Sequence, residues 1–208
     1  MKGGAWVLAT RNVGKLRELR ALFAGEGIEV MDLTEAGVAE SPDEDGLEVF
    51  DTFEENALAK ARHFSARLPG RVVVADDSGL VVDALGGEPG VRSKRWSGRS
   101  DLEGAALDAS NNALLMQRLA GVADRGARFV CVAALCDGER ELAVRGEVPG
   151  RIVDDARGGE GFGYDPHFHV DELGLTLAEA TVSEKQGVSH RGRAFSALLA
   201  EVRGKRAG

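Results

Sequence analysis

The stretch RVVVADDSG, residues 71–79, constrains this chain more than any other. The β-branched Val72, Val73 and Val74, followed by Ala75, form an apolar run of the kind that fills an interior strand, covered on both faces. Two adjacent carboxylates, Asp76 and Asp77, follow at once, and the strand is expected to stop there. Carboxylates beside a buried strand are costly unless cations, a metal or hydrogen-bond donors meet them. Neighbouring strand residues face opposite ways, so the two carboxylates have different tasks. One reading makes them hard oxygen ligands for a divalent cation such as Mg²⁺. The other makes them an Asx turn that leads into Ser78-Gly79.

The flanking pattern tells what kind of domain surrounds that run. Ala5 to Ala9 reads as a buried strand, followed by Thr10-Arg11-Asn12-Val13-Gly14-Lys15 and a helix with Leu16, Leu19, Leu22 and Phe23 on one face. Gly25 and Gly27 end it, and Ile28 to Leu33 reads as a second strand. Residues 35–51 are acidic and irregular. Thr52-Phe53-Glu54-Glu55 has capping-box form and opens a helix to about Leu68, with Phe53, Ala57, Ala61, Phe64 and Leu68 as its core stripe. Asn56 and Lys60, four apart, project together from another face. A glycine-rich connection from Gly86 to Gly98 carries Arg92, Lys94, Arg95 and Trp96. Ser100 to Glu103 reads as a second capping box, opening a helix to about Ala120. Phe129 to Cys136 and Glu141 to Val148 read as a hairpin on Asp137-Gly138, and Ala194 to Val202 as a last amphipathic helix. Strands mixed with helices predict an α/β fold with a mixed sheet, and 208 residues suit one domain or two joined lobes.

Charge and cysteine usage narrow the function classes. With 26 basic against 34 acidic residues the net charge is −8, which argues against a broad phosphate-binding surface for nucleic acid. A small anionic ligand stays compatible with a locally positive pocket. Cys131 and Cys136 lie in one apolar run and, by alternation, on opposite strand faces, so they are expected as buried free thiols in a reducing cytosol. No segment approaches the roughly 20 apolar residues of a membrane span, and the N-terminus lacks a signal-peptide pattern; the expectation is a cytoplasmic protein.

Chemistry is expected at the strand ends, where ligands gather in open α/β sheets. A helix N-terminus with Lys15 in its first turn suits phosphate, although Thr10, Arg11 and Asn12 also fit a plain polar cap. The Walker A spacing is absent, and Gly158 to Gly163 lacks the dinucleotide-binding spacing. Phe162 and Tyr164 in that glycine-rich run suit either stacking on a flat base or plugging the core. Ser189-His190-Arg191-Gly192 gathers donors before the last helix, with Lys185 just upstream. His167 and His169 lack the partners of a zinc site.

Five segments, LATRNVGKLREL, TFEENALAKAR, VVADDSGLVVDALGGEPGVRS, GEGFGYDPHF and SEKQGVSHRG, together resemble the inosine-triphosphate pyrophosphatases, also called XTP/dITP diphosphatases. They stand in the family's order and span nearly the whole chain. The resemblance implies an elongated mixed sheet flanked by helices, in two lobes around a central cleft, with residues 1–208 as a single domain. It implies a homodimer that needs Mg²⁺ and cleaves aberrant purine nucleoside triphosphates (ITP, dITP, XTP) to the monophosphate and pyrophosphate. It implies that the segment Thr10, Arg11, Asn12, Val13, Gly14 and Lys15, together with Lys60, holds the triphosphate. Asp77 would be general base and metal ligand, with Ser78 touching substrate. Phe162, Gly163, Tyr164 and Asp165 would wrap the base, Phe162 stacking on it, with Lys185, His190 and Arg191 at the same end. His190 and Arg191 would donate to the 6-oxygen that distinguishes these purines from adenine. The second acidic metal ligand would be Glu48, or else Glu44. The segment GVRSKRWSG departs from the family by lacking a tyrosine.

Overall fold

The computed structural model describes residues 4–204. Seven strands form one mixed sheet in the order β2-β1-β3-β4-β5-β6-β7. These are β1 (Trp6–Leu8), β2 (Val30–Asp32), β3 (Val73–Val82), β4 (Gly126–Cys136), β5 (Glu141–Ile152), β6 (Phe168–Val170) and β7 (Leu175–Thr176). β1 runs parallel to β2 and β3, with Val7 opposite Met31 and Val73. The pairs β5–β6 and β6–β7 are antiparallel. Five helices accompany the sheet: α1 (Val13–Gly25), α2 (Phe53–Arg67), α3 (Gly104–Arg118), α4 (Val182–Val188) and α5 (His190–Gly204).

Two compact units arise from this chain. Unit 1 comprises residues 1–77, 131–146 and 191–208; unit 2 comprises 78–130 and 147–190. In unit 1, the α1 face carrying Leu19 and Phe23 packs with Trp6 and Leu8 of β1 and with Phe195, Leu198 and Val202 of α5. Trp6, Phe23 and Phe195 meet edge-on, with ring centroids 5.7 Å apart in each pair, the arrangement aromatic quadrupoles favour. In unit 2, Leu115 and Leu119 of the α3 region pack with Phe129, Ile152, Tyr164 and Phe168. Cys131 and Cys136 are free and buried, as expected from their alternation. Among the described residues no helix is long and apolar enough to cross a membrane.

Three features differ from the sequence expectation. β3 does not stop at Asp76 but runs through Asp76-Asp77-Ser78-Gly79 to Val82, buried along its length except at Ser78. The carboxylates are therefore mid-strand, and the Asx turn is absent. Ser100 to Glu103 makes no capping box: α3 starts at Gly104, its N-cap Glu103 makes no side-chain cap bond, and Asp101 pairs with Arg99 instead. Among the described residues the complete capping boxes are Ser41 with Glu44, at the 3₁₀ turn Pro42–Gly46, and Thr181 with Glu184, which opens α4, a helix the apolar pattern did not show. The turn between β4 and β5 spans 137–140, with Asp137 Oδ1 accepting from the Glu139 and Arg140 amides.

Candidate active site

In unit 1 the polar residues after β1 first serve the backbone. Thr10 Oγ1 accepts the Asn12 amide at 3.2 Å, and Asn12 Oδ1 accepts the Lys15 amide at 2.9 Å, so these side chains cap α1. Arg11 turns away and donates to both oxygens of Glu44 and to the Val38 carbonyl. Val13, first in α1, exposes its side chain, 80 % accessible. What the cap leaves at the helix start is a partial positive charge with Lys15 in the first turn.

Asp76 is the centre of the buried charge. Its Oδ2 meets Lys15 Nζ at 3.0 Å and Arg191 Nε at 3.3 Å. Burial opposes its charge, but Lys15, Arg191 and Lys60 outweigh that and hold the carboxyl far below its usual range. Those cations explain why β3 can carry an ionised residue at full burial. Asp76 Oδ1, also buried, has no hydrogen-bond partner among the described residues. Arg191 completes its own pairing with Glu18. Its Nε and Nη1 are thus engaged with carboxylates of unit 1.

Asp77, on the other face of β3, has a different environment. Its Oδ2 accepts from Asn56 Nδ2 at 2.9 Å. Burial pushes its carboxyl up to about 6, against the pull of Lys15 and Lys60, and the Glu48 charge adds to the rise. The two carboxylates therefore do have separate tasks: Asp76 is locked into ion pairs, while Asp77 sits near the pKa of a general base at neutral pH. Lys60 Nζ donates to the Asp76 carbonyl at 2.8 Å and pairs with Glu48. Burial disfavours its charge, yet Glu48, Asp76 and Asp77 hold its pKa above the ordinary lysine value.

These groups fit a hard divalent cation of the magnesium kind. No set of three or more His, Cys, Asp or Glu side chains stands ready for a metal among the described residues. The fit is instead of the type in which one or two carboxylates share the cation with substrate phosphates. Glu48 and Asp77 are close enough that the charge of one raises the pKa of the other, which a cation would relieve. Glu44, the alternative, is committed to Arg11 and to the Ser41 amide, where it caps a short 3₁₀ turn at Pro42–Gly46.

Unit 2 holds a glycine-rich loop in a fixed form. Asp165 Oδ2 accepts the Phe162 amide at 3.2 Å and Lys185 Nζ at 3.0 Å. Gly161 has φ +86°, and a Cβ there would lie 2.1 Å from Asp165 Oδ2, so only glycine permits this pair. Two residues four apart on α3 grip the next peptide: Asp108 accepts the Gly163 amide, and Asn112 donates to the Gly163 carbonyl, each at 2.8 Å. Tyr164 is buried, and its hydroxyl donates to the Ser93 carbonyl at 2.9 Å. Tyr164 therefore plugs the core, and half-buried Phe162 is the aromatic left to face a ligand. The His190 ring stacks on Phe129, centroids 4.8 Å apart and 12° from parallel. Half-buried Ser78 lies within β3. His167 Nδ1 lies 2.9 Å from the Val153 carbonyl, and His169 Nδ1 lies 3.2 Å from Asp171, a structural setting for each.

Sequence reasoning missed Glu18, Asp108 and Asn112 altogether and saw Asn56 only as a neighbour of Lys60. Their shared sign, weak on its own, is a polar side chain on a helix face otherwise turned to the core.

The Ham1 family model matches residues 6–201, nearly the full described chain. The chain belongs to the Ham1 family. A Burkholderia pseudomallei protein named dITP/XTP pyrophosphatase is 49% identical over 199 residues, 94% of this chain and 92% of that one. A Mycobacterium bovis protein of the same name is 49% identical over 200 residues, 95% and 94% of the two chains. Among solved structures, a HAM1 protein from Coxiella burnetii has TM-score 0.80 at 36% identity, covering 96% of this chain and 98% of that one. A nucleoside-triphosphatase, dITP/XTP pyrophosphatase, from Mycobacterium abscessus has TM-score 0.67 at 44% identity, covering 94% and 99%. This Ham1 chain thus shares its family across its whole length with proteins bearing that name.

Proposed function

We propose that the chain hydrolyses the non-canonical purine nucleoside triphosphates ITP, dITP and XTP between the α and β phosphates, giving the monophosphate and pyrophosphate. Its Ham1 relatives are named dITP/XTP pyrophosphatases. The observation that carries the reading is the separation of Asp76 and Asp77: one carboxylate neutralised by Lys15 and Arg191, the other raised to about 6 beside Lys60 and Glu48. We extend the proposal to Mg²⁺ as the cation, to a homodimer and to the cytoplasm, on the family resemblance.

In this reading Glu48 and Asp77 hold Mg²⁺. When bound, the cation neutralises charge on the phosphate oxygens. Lys15 and the N-terminus of α1 attract the polyphosphate, and Lys60 offsets the charge that grows on the departing pyrophosphate. Asp77 takes a proton from the attacking water. Phe162 stacks on the purine, and Ser78 contacts the substrate. Lys185 and His190 are the unit 2 donors suited to a 6-oxygen. Adenine presents an amino donor at that position, and a buried donor facing a donor costs about 1–3 kcal/mol.

A nucleotide panel with and without Mg²⁺ tests the reading. ITP, dITP or XTP hydrolysed far faster than ATP, GTP and UTP, and only with the cation, is the expected result. UTP hydrolysed best, or ITP bound without product, would overturn it.

A further inference from the structure

Asn56 is 1% exposed and lies in α2, and its side chain bonds to groups outside that helix. Its amide is divided between two destinations. Oδ1 accepts the Phe50 amide at 2.9 Å, and Nδ2 donates to the Phe50 carbonyl at 3.2 Å. The same Nδ2 donates to Asp77 Oδ2 at 2.9 Å. An amide side chain has two donors and one acceptor atom, and all of them are engaged here.

We infer that Asn56 is a positioning residue that ties the segment carrying Glu48 to the Asp77 carboxylate, and so sets the spacing of the two metal-binding carboxylates. This rests on the function proposed above. Phe50 follows Glu48 by two residues, so pinning its amide and carbonyl fixes where the segment leaves the site. The apolar side chains of that segment are only partly covered: Leu47 is half-buried, and Val49 and Phe50 expose 66% and 43% of their surface. The backbone clamp by Asn56 therefore holds it beside the ion pair of Glu48 with Lys60. One rigid helix position thus governs two groups from separate parts of the chain. Carboxylates held by outer hydrogen bonds lose metal affinity when those partners are removed, typically about 10–100-fold.

The test uses the full-length protein and Mn²⁺ as the divalent probe, read by electron paramagnetic resonance without nucleotide. Asn56→Ala is expected to weaken Mn²⁺ binding about tenfold or more. Amide exchange across residues 47–51 of the metal-free protein should accelerate, and kcat for ITP should fall while KM changes far less. In the Glu48→Gln background the same substitution should lose most of its effect on Mn²⁺ binding, because the segment then has no carboxylate to place. Asn56→Ser, which leaves a smaller void, repeats the measurements should the alanine variant fold poorly. Faster exchange with unchanged Mn²⁺ affinity would reduce Asn56 to a structural clamp and overturn the inference, as would equal losses in the two backgrounds. Failure of the wild-type protein to hydrolyse ITP removes the enzymatic reading instead, and the exchange and Mn²⁺ results then stand apart from it.

Discussion

Asp77 is held in an environment that works against its charge. In the metal-free protein its folded pKa of about 6 lies above the unfolded value, so the folded state binds more protons between about pH 4 and 6. Stability then falls as pH rises through that window, and the loss is complete above it. Asp77→Asn removes the penalty while keeping an oxygen for Asn56. The variant should be more stable than wild type at pH 7.5 by up to about 3 kcal/mol, and no more stable at pH 4. Its ITP hydrolysis should fall at least about 100-fold. Urea melts at the two pH values and steady-state rates check both. Arg191 gives the reverse case: Arg191→Ala strips Asp76 and Glu18 of a buried partner and should cost about 3–5 kcal/mol in a urea melt. The acidic residues upstream of α2 separate in the same way. Glu48→Gln should raise the Mg²⁺ concentration needed for half-maximal rate, whereas Glu44→Gln, whose carboxylate serves Arg11, should leave it unchanged.

At the scale of elements, β3 shows what a local pattern hides. Two adjacent aspartates look like the end of a strand because nothing nearby in sequence compensates them. The compensating groups are Lys15, 61 positions away, Arg191, 115 positions away, and Lys60, 16 positions away, and only the fold brings them in. Capping boxes show the same limit. Thr181 and Glu184 satisfy each other and start α4, while the similar signature at Ser100 fails because α3 begins at Gly104, which leaves Glu103 at the N-cap rather than one turn inside the helix. The cores of α1, α2 and α5 were legible because their stripes are long and periodic. Asp77 stood out because a charge beside a buried strand needs a reason, Lys15 because it lies in a helix's first turn after a strand, and Lys60 only through the family resemblance. Asp108 and Asn112 were not, since a polar pair four apart on a helix is ordinary. Their grip on Gly163 predicts that Asp108→Ala or Asn112→Ala loosens the loop bearing Phe162. KM for ITP should rise in each variant with kcat largely kept, as steady-state kinetics would show.

For the whole molecule, the division of labour follows the two units. Unit 1 contains Lys15, Glu48, Lys60, Asp76, Asp77 and Arg191, the charged groups suited to a polyphosphate and its cation. Unit 2 contains Phe162, Asp165, Lys185 and His190, the groups suited to a base. A chain of net charge −8 thereby buries cations in both units, Lys60 and Arg191 in one and Lys185 in the other, each against a carboxylate. The central claim, cleavage of the α–β phosphoanhydride, is tested most directly by following ITP with the wild-type protein and Mg²⁺ in real time by ³¹P NMR. The account predicts inosine monophosphate and pyrophosphate growing in equal amounts, with no diphosphate on the way. Inosine diphosphate with orthophosphate, or ITP left intact, would contradict it.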